Sequence, residues 1–333
     1  MKNAVTLAES AKGKTSPNPL VGAIIVQDGK IVGQGYHKYA GDHHAEINAF
    51  RDAGDFANGA TLYVTLEPCS TFGRTPPCTD AIINAGIKEV IIGSIDPNPA
   101  HSGRAVKILE KENIKVFSGI QKELCDSLNE AFFCWIKNKK PFVLLKMAMT
   151  LDGKIATEDG QSQWITGKEA REYVQSLRQW ADAIMVGGET VRKDNPSLTV
   201  RTPANWKKQP KKIIFSRQNN FDKNLNIFAD SANTPEFICP SSKKDWTTLL
   251  KKLAKEEVTA LLIEGGGETA ATVLSAGIVD KVEFIIAPKI LGGRNSRPVV
   301  GGRSPKSLAE ALNLRTPQLN LIGGDIKISG YLN

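Results

Sequence analysis

His44-Ala45-Glu46 and, further along, Pro68-Cys69-Ser70-Thr71-Phe72-Gly73-Arg74-Thr75-Pro76-Pro77-Cys78 decide how this chain is read. One imidazole and two thiolates are three protein ligands for a tetrahedral Zn²⁺, and they leave its fourth position to water. Water held in that way loses a proton near neutral pH. Glu46 follows His44 by two residues, which puts it beside the metal without making it a ligand. A carboxylate so placed can carry the proton to a departing amine. His43 is adjacent, but only His44 has the His-x-Glu spacing, so His43 is expected at the surface or behind the ligands.

The order His-x-Glu…Pro-Cys…Cys is the pattern of zinc deaminases, in which a hydroxide attacks a ring carbon bearing an amino group. Pro68 supplies the proline before the first cysteine. That pattern has two residues between its cysteines, whereas eight separate Cys69 from Cys78. On the motif alone, a structural zinc site or a pair of buried thiols stays open, although structural sites normally fill all four positions with Cys and His.

At 333 residues the chain is too long for one ordinary core, so two domains are expected. Apolar content of 41% and charged content of 23% are those of a globular protein. No apolar run reaches the length that spans a bilayer, and the N-terminus lacks the apolar stretch of a signal peptide. Two of five cysteines belong to the metal motif; Cys125, Cys134 and Cys239 read as buried or free thiols, which implies a reducing cytoplasm. The net charge of +8 suits nucleic acid, a phosphorylated small substrate or NADP equally. The lysines are scattered, and Lys251, Lys252 and Lys255 read as a solvated helix face. No stacking aromatics interleave with them, which argues against a nucleic-acid partner.

In the first half, residues 1–11 have helical spacing. Residues 20–26 and 31–35 flank Asp28-Gly29 and read as a hairpin. A helix over 44–53 carries His44 and Glu46 at its start. A strand over 61–65 runs into Cys69, and a helix over 78–85 starts at Cys78, so both metal-bearing segments sit where helix dipoles help to hold thiolates. Strands at 90–93 and 114–117 and helices at 106–111 and 121–136 complete an α/β sandwich around one sheet. Asn18, pinned between Pro17 and Pro19, is either an ordinary turn residue or a fixed contact to substrate. Arg74, between the cysteines, is a candidate phosphate or ring contact.

Lys137-Asn138-Lys139-Lys140-Pro141 is a polar break, which sets expected domains of 1–140 and 141–333. Beyond it the spacing predicts strands at 142–149, 183–187, 212–215, 236–239 and 260–264, and helices at 167–180 and 245–255. Thr166 with Glu169 has the capping-box pattern for the first of these helices. Glu264-Gly265-Gly266-Gly267-Glu268-Thr269-Ala270 is a glycine cluster between a strand and a helix, where backbone N–H groups can meet a pyrophosphate; a plain tight turn is the other reading. A Rossmann domain would open with such a loop. Here it comes late, which favours a different dinucleotide-binding architecture. Arg178 and Arg201 are fork-shaped donors suited to phosphate, although a surface ion pair is the commoner fate of an arginine. Lys154 follows an Asp-Gly turn and is either an anion contact or solvated. Trp164 packs either on a cofactor or in the core.

Residues 15–22 (Thr-Ser-Pro-Asn-Pro-Leu-Val-Gly), the His-Ala-Glu, the Pro-Cys-Ser…Gly-Arg-Thr-Pro-Pro-Cys-Thr with its long cysteine spacing, and Asp96-Pro97-Asn98-Pro99 together resemble the RibD family, the bifunctional deaminase–reductases of riboflavin biosynthesis. So do Lys146-Met147-Ala148, residues 150–156, 162–167, 182–184 and 194–201, Glu264-Gly265-Gly266 and Ala287-Pro288-Lys289. The chain departs from the family's habit at Thr71, where a histidine is usual, and at Asn195 and Thr150, where aspartate and serine are frequent. The resemblance implies a cytidine-deaminase-like α/β/α sandwich followed by a dihydrofolate-reductase-like α/β domain. It implies zinc on His44, Cys69 and Cys78, with Glu46 catalytic. NADPH would meet Ala148, Trp164, Thr190, Asp194 and the loop Gly266, Gly267, Glu268, Thr269, Ala270, Ala271 and Thr272. A ribosyl phosphate substrate would meet Ser162, Arg178, Leu198, Arg201 and Glu264, with Asn18 in the deaminase half. The implied reactions are hydrolytic deamination of a diaminopyrimidinone carrying a phosphoribosylamino group, then reduction of its ribosyl part to a ribitylamino chain. A cytoplasmic homo-oligomer acting on a phosphorylated small molecule, with no nucleic acid or membrane partner, is expected. The competing readings are a zinc deaminase acting on nucleic acid or a free nucleobase, and a non-catalytic zinc-stabilised interaction protein.

Overall fold

The computed structural model describes residues 1–72, 76–99 and 101–332. The chain falls into two compact units, Met1–Lys139 and Lys140–Asn333.

The first unit runs α1 (Lys2–Glu9), β1 (Gly22–Gln27), β2 (Lys30–Tyr36), α2 (Ala45–Ala53), β3 (Thr61–Leu66), α3 (Cys78–Asn84), β4 (Glu89–Ser94), α4 (Arg104–Lys111), β5 (Lys115–Ser118), α5 (Lys122–Leu128) and α6 (Glu130–Asn138). The sheet order is β2-β1-β3-β4-β5, antiparallel through β1 and parallel from β3 onward. Parallel neighbours need crossovers, and α3 and α4 supply them. Ile25, Leu62, Val64, Val90 and Ile92 project from the strands onto Ala49, Ile82 and Leu109 of the helices.

Helix α2 lies against β2 because β2 offers glycines. A Cβ on Gly33 would fall 2.5 Å from the Ala49 carbonyl, and one on Gly35 would fall 2.4 Å from both the Ala45 carbonyl oxygen and the Ala49 nitrogen. Only a bare backbone allows that approach. It seats the start of α2, and with it His44 and Glu46.

One helix was expected over 121–136, and the structure divides it. Asn129 takes φ −121°, ψ 23° between α5 and α6. Its Oδ1 accepts from Leu20 N and its Nδ2 donates to Leu20 O, both at 2.8 Å. Two hydrogen bonds in a buried place outweigh the helical pattern of the local sequence.

The second unit runs β6 (Phe142–Thr150), β7 (Lys154–Ala156), α7 (Lys168–Trp180), β8 (Ala183–Gly187), α8 (Gly188–Asp194), β9 (Lys211–Phe215), β10 (Glu236–Ile238), α9 (Lys243–Lys255), β11 (Ala260–Glu264), α10 (Gly267–Ser275), β12 (Lys281–Ala287), β13 (Arg297–Pro298), β14 (Arg315–Ile322) and β15 (Asp325–Tyr331). The main sheet has the order β10-β9-β8-β11-β6-β12-β15-β14, and β13 pairs with β7. It is parallel as far as β12; β15 then runs antiparallel to both β12 and β14. Successive residues of the central strands go to opposite faces. Leu145 and Leu261 join Trp246, Leu253 and Val273 of α9 and α10 in one core. Leu144 and Leu262 join Leu177 and Val191 of α7 and α8 in the other. Both faces are covered, which is why these strands read as unbroken apolar runs.

The capping box expected at Thr166 and Glu169 does not form. Gly167 is the N-cap and has no side-chain cap; its N–H donates instead to Asp325 Oδ2 at 2.7 Å, from β15. The capping box of this unit is Ser242 with Asp245, at the start of α9.

Gly35→Ala is expected to destabilise the first unit by about 1–3 kcal/mol through overpacking of α2 on β2, read as a lower unfolding temperature together with weaker zinc retention. An unchanged melting curve would contradict the close-approach account.

Candidate functional site

His44 is the N-cap of α2, with φ −67° and ψ 160°, and Glu46 lies in that helix's first turn. Cys69 follows β3, and Cys78 is the first residue of α3, with Pro77 as its N-cap. Two helix starts and one strand end therefore meet. His44 Nδ1 is 3.2 Å from Cys78 Sγ and 3.4 Å from Cys69 Sγ. All three ligand atoms lie within 4.8 Å of one another. With Zn–N and Zn–S bonds of ordinary length, a tetrahedral site needs N···S edges of about 3.5 Å. The donor set and its spacing thus fit zinc, and the thiols form no disulfide.

The electrostatics point the same way. A hydrogen bond with Cys78 holds the Cys69 thiol at about 4; burial opposes this, and His44 reinforces it. The Cys78 backbone N–H also donates to Cys69 Sγ at 3.1 Å, so the start of α3 stabilises a thiolate. The hydrogen bond with Cys69 raises His44 to about 9; burial opposes this, and the Glu46 charge adds to it. Cys78 is pushed up by its hydrogen bond with Cys69 and then by burial. Without metal the site is therefore an imidazolium–thiolate pair beside a protonated thiol. Burial raises the Glu46 carboxyl, against the pull of His44. Only 3% of Glu46 is exposed, a place where a carboxyl tends to take up a proton.

Asn18 Nδ2 lies 3.1 Å from His37 Nε2, and His37 Nδ1 lies 3.1 Å from the His43 carbonyl. A ring donating from Nδ1 to that carbonyl accepts the amide at Nε2, which fixes the Asn18 side chain. His37, 3% exposed, was not singled out from the sequence; its position after Gly35-Tyr36 gives no local signal. His43 serves this pair through its carbonyl. Arg74 lies outside the described residues.

In the second unit a cleft of about 1100 Å³ opens along the strand ends. Of the residues expected to meet cofactor or substrate, it is lined by Ala148, Ser162, Trp164, Arg178, Thr190, Asp194, Leu198, Arg201, Glu264, Gly266, Gly267, Glu268, Thr269 and Thr272. Ala270 and Ala271 are not among its lining: Ala270 is in the core, and Ala271 borders a neighbouring hollow. The glycine turn is tight as well as open. A Cβ on Gly267 would fall 2.4 Å from the Pro298 carbonyl, and one on Gly187 would fall 2.3 Å from Thr269 Oγ1.

Arg178 spends its fork inside the protein. Its Nε donates to Glu264 Oε1 at 2.7 Å and its Nη2 to Oε2 at 3.0 Å, in a pair about 10% exposed. Lys146, which was not counted among the site residues, lies 3.9 Å from the same carboxylate and lines the cleft. Burial alone would raise Glu264; the charges of Arg178 and then Lys146 outweigh it and hold it at about 2. Burial pushes Lys146 down, against the pull of Glu264. Desolvation and then the charge of Arg178 push Arg201 down, while its Nη1 donates to Ser197 Oγ at 2.9 Å. Ser162 donates to Asp194 at 2.8 Å. Trp164 is not core: it is 63% exposed, with the Arg171 guanidinium 4.8 Å from its ring centre. Lys154 donates to the Ser296 carbonyl at 3.3 Å.

Zinc binding must expel two protons, one from His44 and one from Cys78. Between pH 4 and 9, the values that bound Cys69 and His44, apparent zinc affinity is expected to fall about 100-fold for each unit of acidification. Competition with a chelator at several pH values measures this, and a slope near zero would contradict the protonation scheme.

Residues 141–328 match the family model of the RibD C-terminal domain, and residues 1–94 that of the cytidine and deoxycytidylate deaminase zinc-binding region. The chain is 42% identical over 350 residues to the riboflavin biosynthesis protein RibD of Actinobacillus pleuropneumoniae, covering 98% of this chain and 93% of that protein. It is likewise 42% identical to that of Aquifex aeolicus, over 98% and 96% of the two chains. Its structure is similar to that of Acinetobacter baumannii RibD, with a TM-score of 0.89 at 34% identity, over 100% and 97% of the chains. The same figures hold for a Thermotoga maritima protein described as a diaminohydroxyphosphoribosylaminopyrimidine deaminase and 5-amino-6-(5-phosphoribosylamino)uracil reductase. A second half that matches a reductase domain does not favour the nucleic-acid reading. The chain belongs to the RibD family, bifunctional enzymes of riboflavin biosynthesis that join a zinc deaminase to an NADPH-dependent reductase.

Proposed function

We propose that His44, Cys69 and Cys78 hold the deaminase zinc, that Glu46 carries its protons, and that ribosyl phosphate and NADPH meet in the cleft around Glu264. The substrate is the diaminopyrimidinone bearing a phosphoribosylamino group. The observation that carries the deaminase assignment is the convergence of three ligand atoms within 4.8 Å beside a buried carboxylate. Zinc supplies the Lewis acidity that makes water a nucleophile near neutral pH. Water adds to the carbon bearing the 2-amino group. Glu46 takes the first water proton to the ring nitrogen and the second to the amino group. The carbon–nitrogen bond then breaks, and ammonia leaves a ring carbonyl behind. A carboxyl with a raised pKa suits this two-way traffic. Asn18, its amide held by His37, orients the ring.

The cleft would hold NADPH, which when bound would supply the hydride for reduction at ribosyl C1′. Opening the sugar breaks the C1′–O4′ bond, and the ring oxygen needs a proton. Lys146, largely enclosed and less basic than usual, is the acid at hand. Glu264 stays ionised against Arg178 and Lys146 and holds both cations in place. Arg201 takes the phosphate. The first turn of α10, opened by Gly266 and Gly267, receives the dinucleotide. Ala148, Trp164, Thr190, Asp194, Glu268, Thr269 and Thr272 flank it; Ala270 and Ala271 contribute backbone only. Ser162 and Leu198 border the sugar.

Self-association as a homo-oligomer is supported by β14, an edge strand with Leu319 68% and Leu321 77% exposed. That none of the five cysteines is in a disulfide supports a cytoplasmic setting. Among the described residues no helix is long and apolar enough to cross a membrane.

Glu46→Gln is expected to lower ammonia release by at least about 100-fold with zinc retained and NADPH oxidation on pre-deaminated substrate unchanged. Loss of both activities would contradict two separate sites. Glu264→Gln is expected to do the reverse, lowering the kcat/KM of reduction by about 100-fold or more. Unimpaired reduction would contradict its role.

A further inference from the structure

Glu67 stands two residues before Cys69 and is 5% exposed. Its carboxylate accepts three backbone N–H groups. Oε2 takes those of Asp96 at 3.1 Å and Gly103 at 2.9 Å, and Oε1 takes that of Ala105 at 3.0 Å. Among the described residues no lysine, arginine or histidine pairs with it. Its own N–H donates to the Ser94 carbonyl at 2.8 Å, where β3 leaves β4. A buried carboxylate is costly unless its oxygens are hydrogen-bonded, and here the donors come from the two ends of a single loop. Gly103 is the N-cap of α4 and Ala105 lies in its first turn, so the helix dipole favours the charge too. One anionic side chain thus pins both ends of the loop to the segment that bears a zinc ligand.

Asp96 of that loop lies close to that ligand, and His101 lies close to Asp96. Burial raises the Asp96 carboxyl; Asn98 N–H donates to it at 2.8 Å, His101 pulls it down, and Cys69 is near enough to push it up. His101 Nδ1 is buried with no hydrogen-bond partner among the described residues. An unmet polar atom on a clamped loop beside a metal site is what a polar ligand would complete.

We propose that Glu67 is a positioning residue for deamination: it clamps the loop that starts at Asp96 and ends at Gly103, so that Asp96 and His101 are preset to receive the polar pyrimidine. The proposal rests on the deaminase reading of the zinc cluster. Glu67 touches neither metal nor substrate, so its effect falls on binding rather than on the proton transfers of Glu46.

The test uses full-length, zinc-loaded Glu67→Gln. An amide NH₂ in place of one oxygen faces an N–H that it cannot accept. The KM of deamination is expected to rise about tenfold while kcat changes less than about threefold. Zinc content and reduction of pre-deaminated substrate should stay at wild-type values, and amide exchange over 96–105 should speed up. An unchanged KM, or kcat and zinc content falling together, would overturn the proposal; the second result would make Glu67 a prop for the metal segment. Should the variant fail to fold, wild-type exchange decides. Slow exchange at Asp96, Gly103 and Ala105, slowed further by bound product, supports the clamp, and fast exchange overturns it. Wild-type enzyme that released no ammonia would sink the deaminase reading instead, and exchange measured without ligand reads the clamp independently of that.

Discussion

The meeting of His44 Nδ1 with the sulfurs of Cys69 and Cys78 organises the first unit. His44 and Cys78 sit at helix starts, where backbone N–H groups are unpaired and a partial positive charge collects, and Cys69 follows a strand end beside them. That geometry lets a thiolate persist at Cys69 before any metal arrives. It also demands that α2, α3 and the end of β3 be placed to a fraction of an ångström. The glycines of β2 do this for α2. The parallel pairing of β3 with β4 does it for the Cys69 segment, and Glu67 extends the order outward to the next loop.

The second unit solves a different electrostatic problem. Glu264, Lys146 and Glu283 are register partners on three neighbouring strands, β11, β6 and β12, so their side chains form a row on one face. Helix α7 lies over this row, with Arg178 on Glu264 and Tyr173 donating to Glu283 at 2.8 Å; Lys327 of β15 donates to the Tyr173 hydroxyl at 3.0 Å. In this largely buried row the neighbouring cations hold Glu264 ionised. A breach at one member would be felt by the next, so the row is a rigid electrostatic floor under the cleft rather than a set of independent pairs.

Much of this was legible in the sequence, because much of it is local. The His-x-Glu spacing, proline-cysteine segments, apolar strand runs and the glycine turn depend on neighbours a few residues away. What was not legible depends on distant partners. Asn129 breaks a helix because of Leu20, and Asp325 caps α7 in place of Thr166. The fork of Arg178 suits a phosphate or an ion pair, and only the fold brings Glu264 to it. Strands β12 to β15 went unread: β14 is exposed along nearly its whole length, so its alternating Leu319 and Leu321 mark no buried face. Trp164 could be read for a cofactor face or for the core, and it lies in the open, since type alone does not say which side of a cleft wall a side chain occupies.

The deaminase half turns on a metal gripped by one imidazole and two sulfurs, with a vacant corner for water. X-ray absorption at the zinc edge of the active enzyme tests it most directly. Two sulfurs at about 2.3 Å, a single imidazole and one further light atom at about 2.0–2.1 Å are the expected shell. A shell with two imidazoles, a third sulfur or no sulfur at all would contradict it.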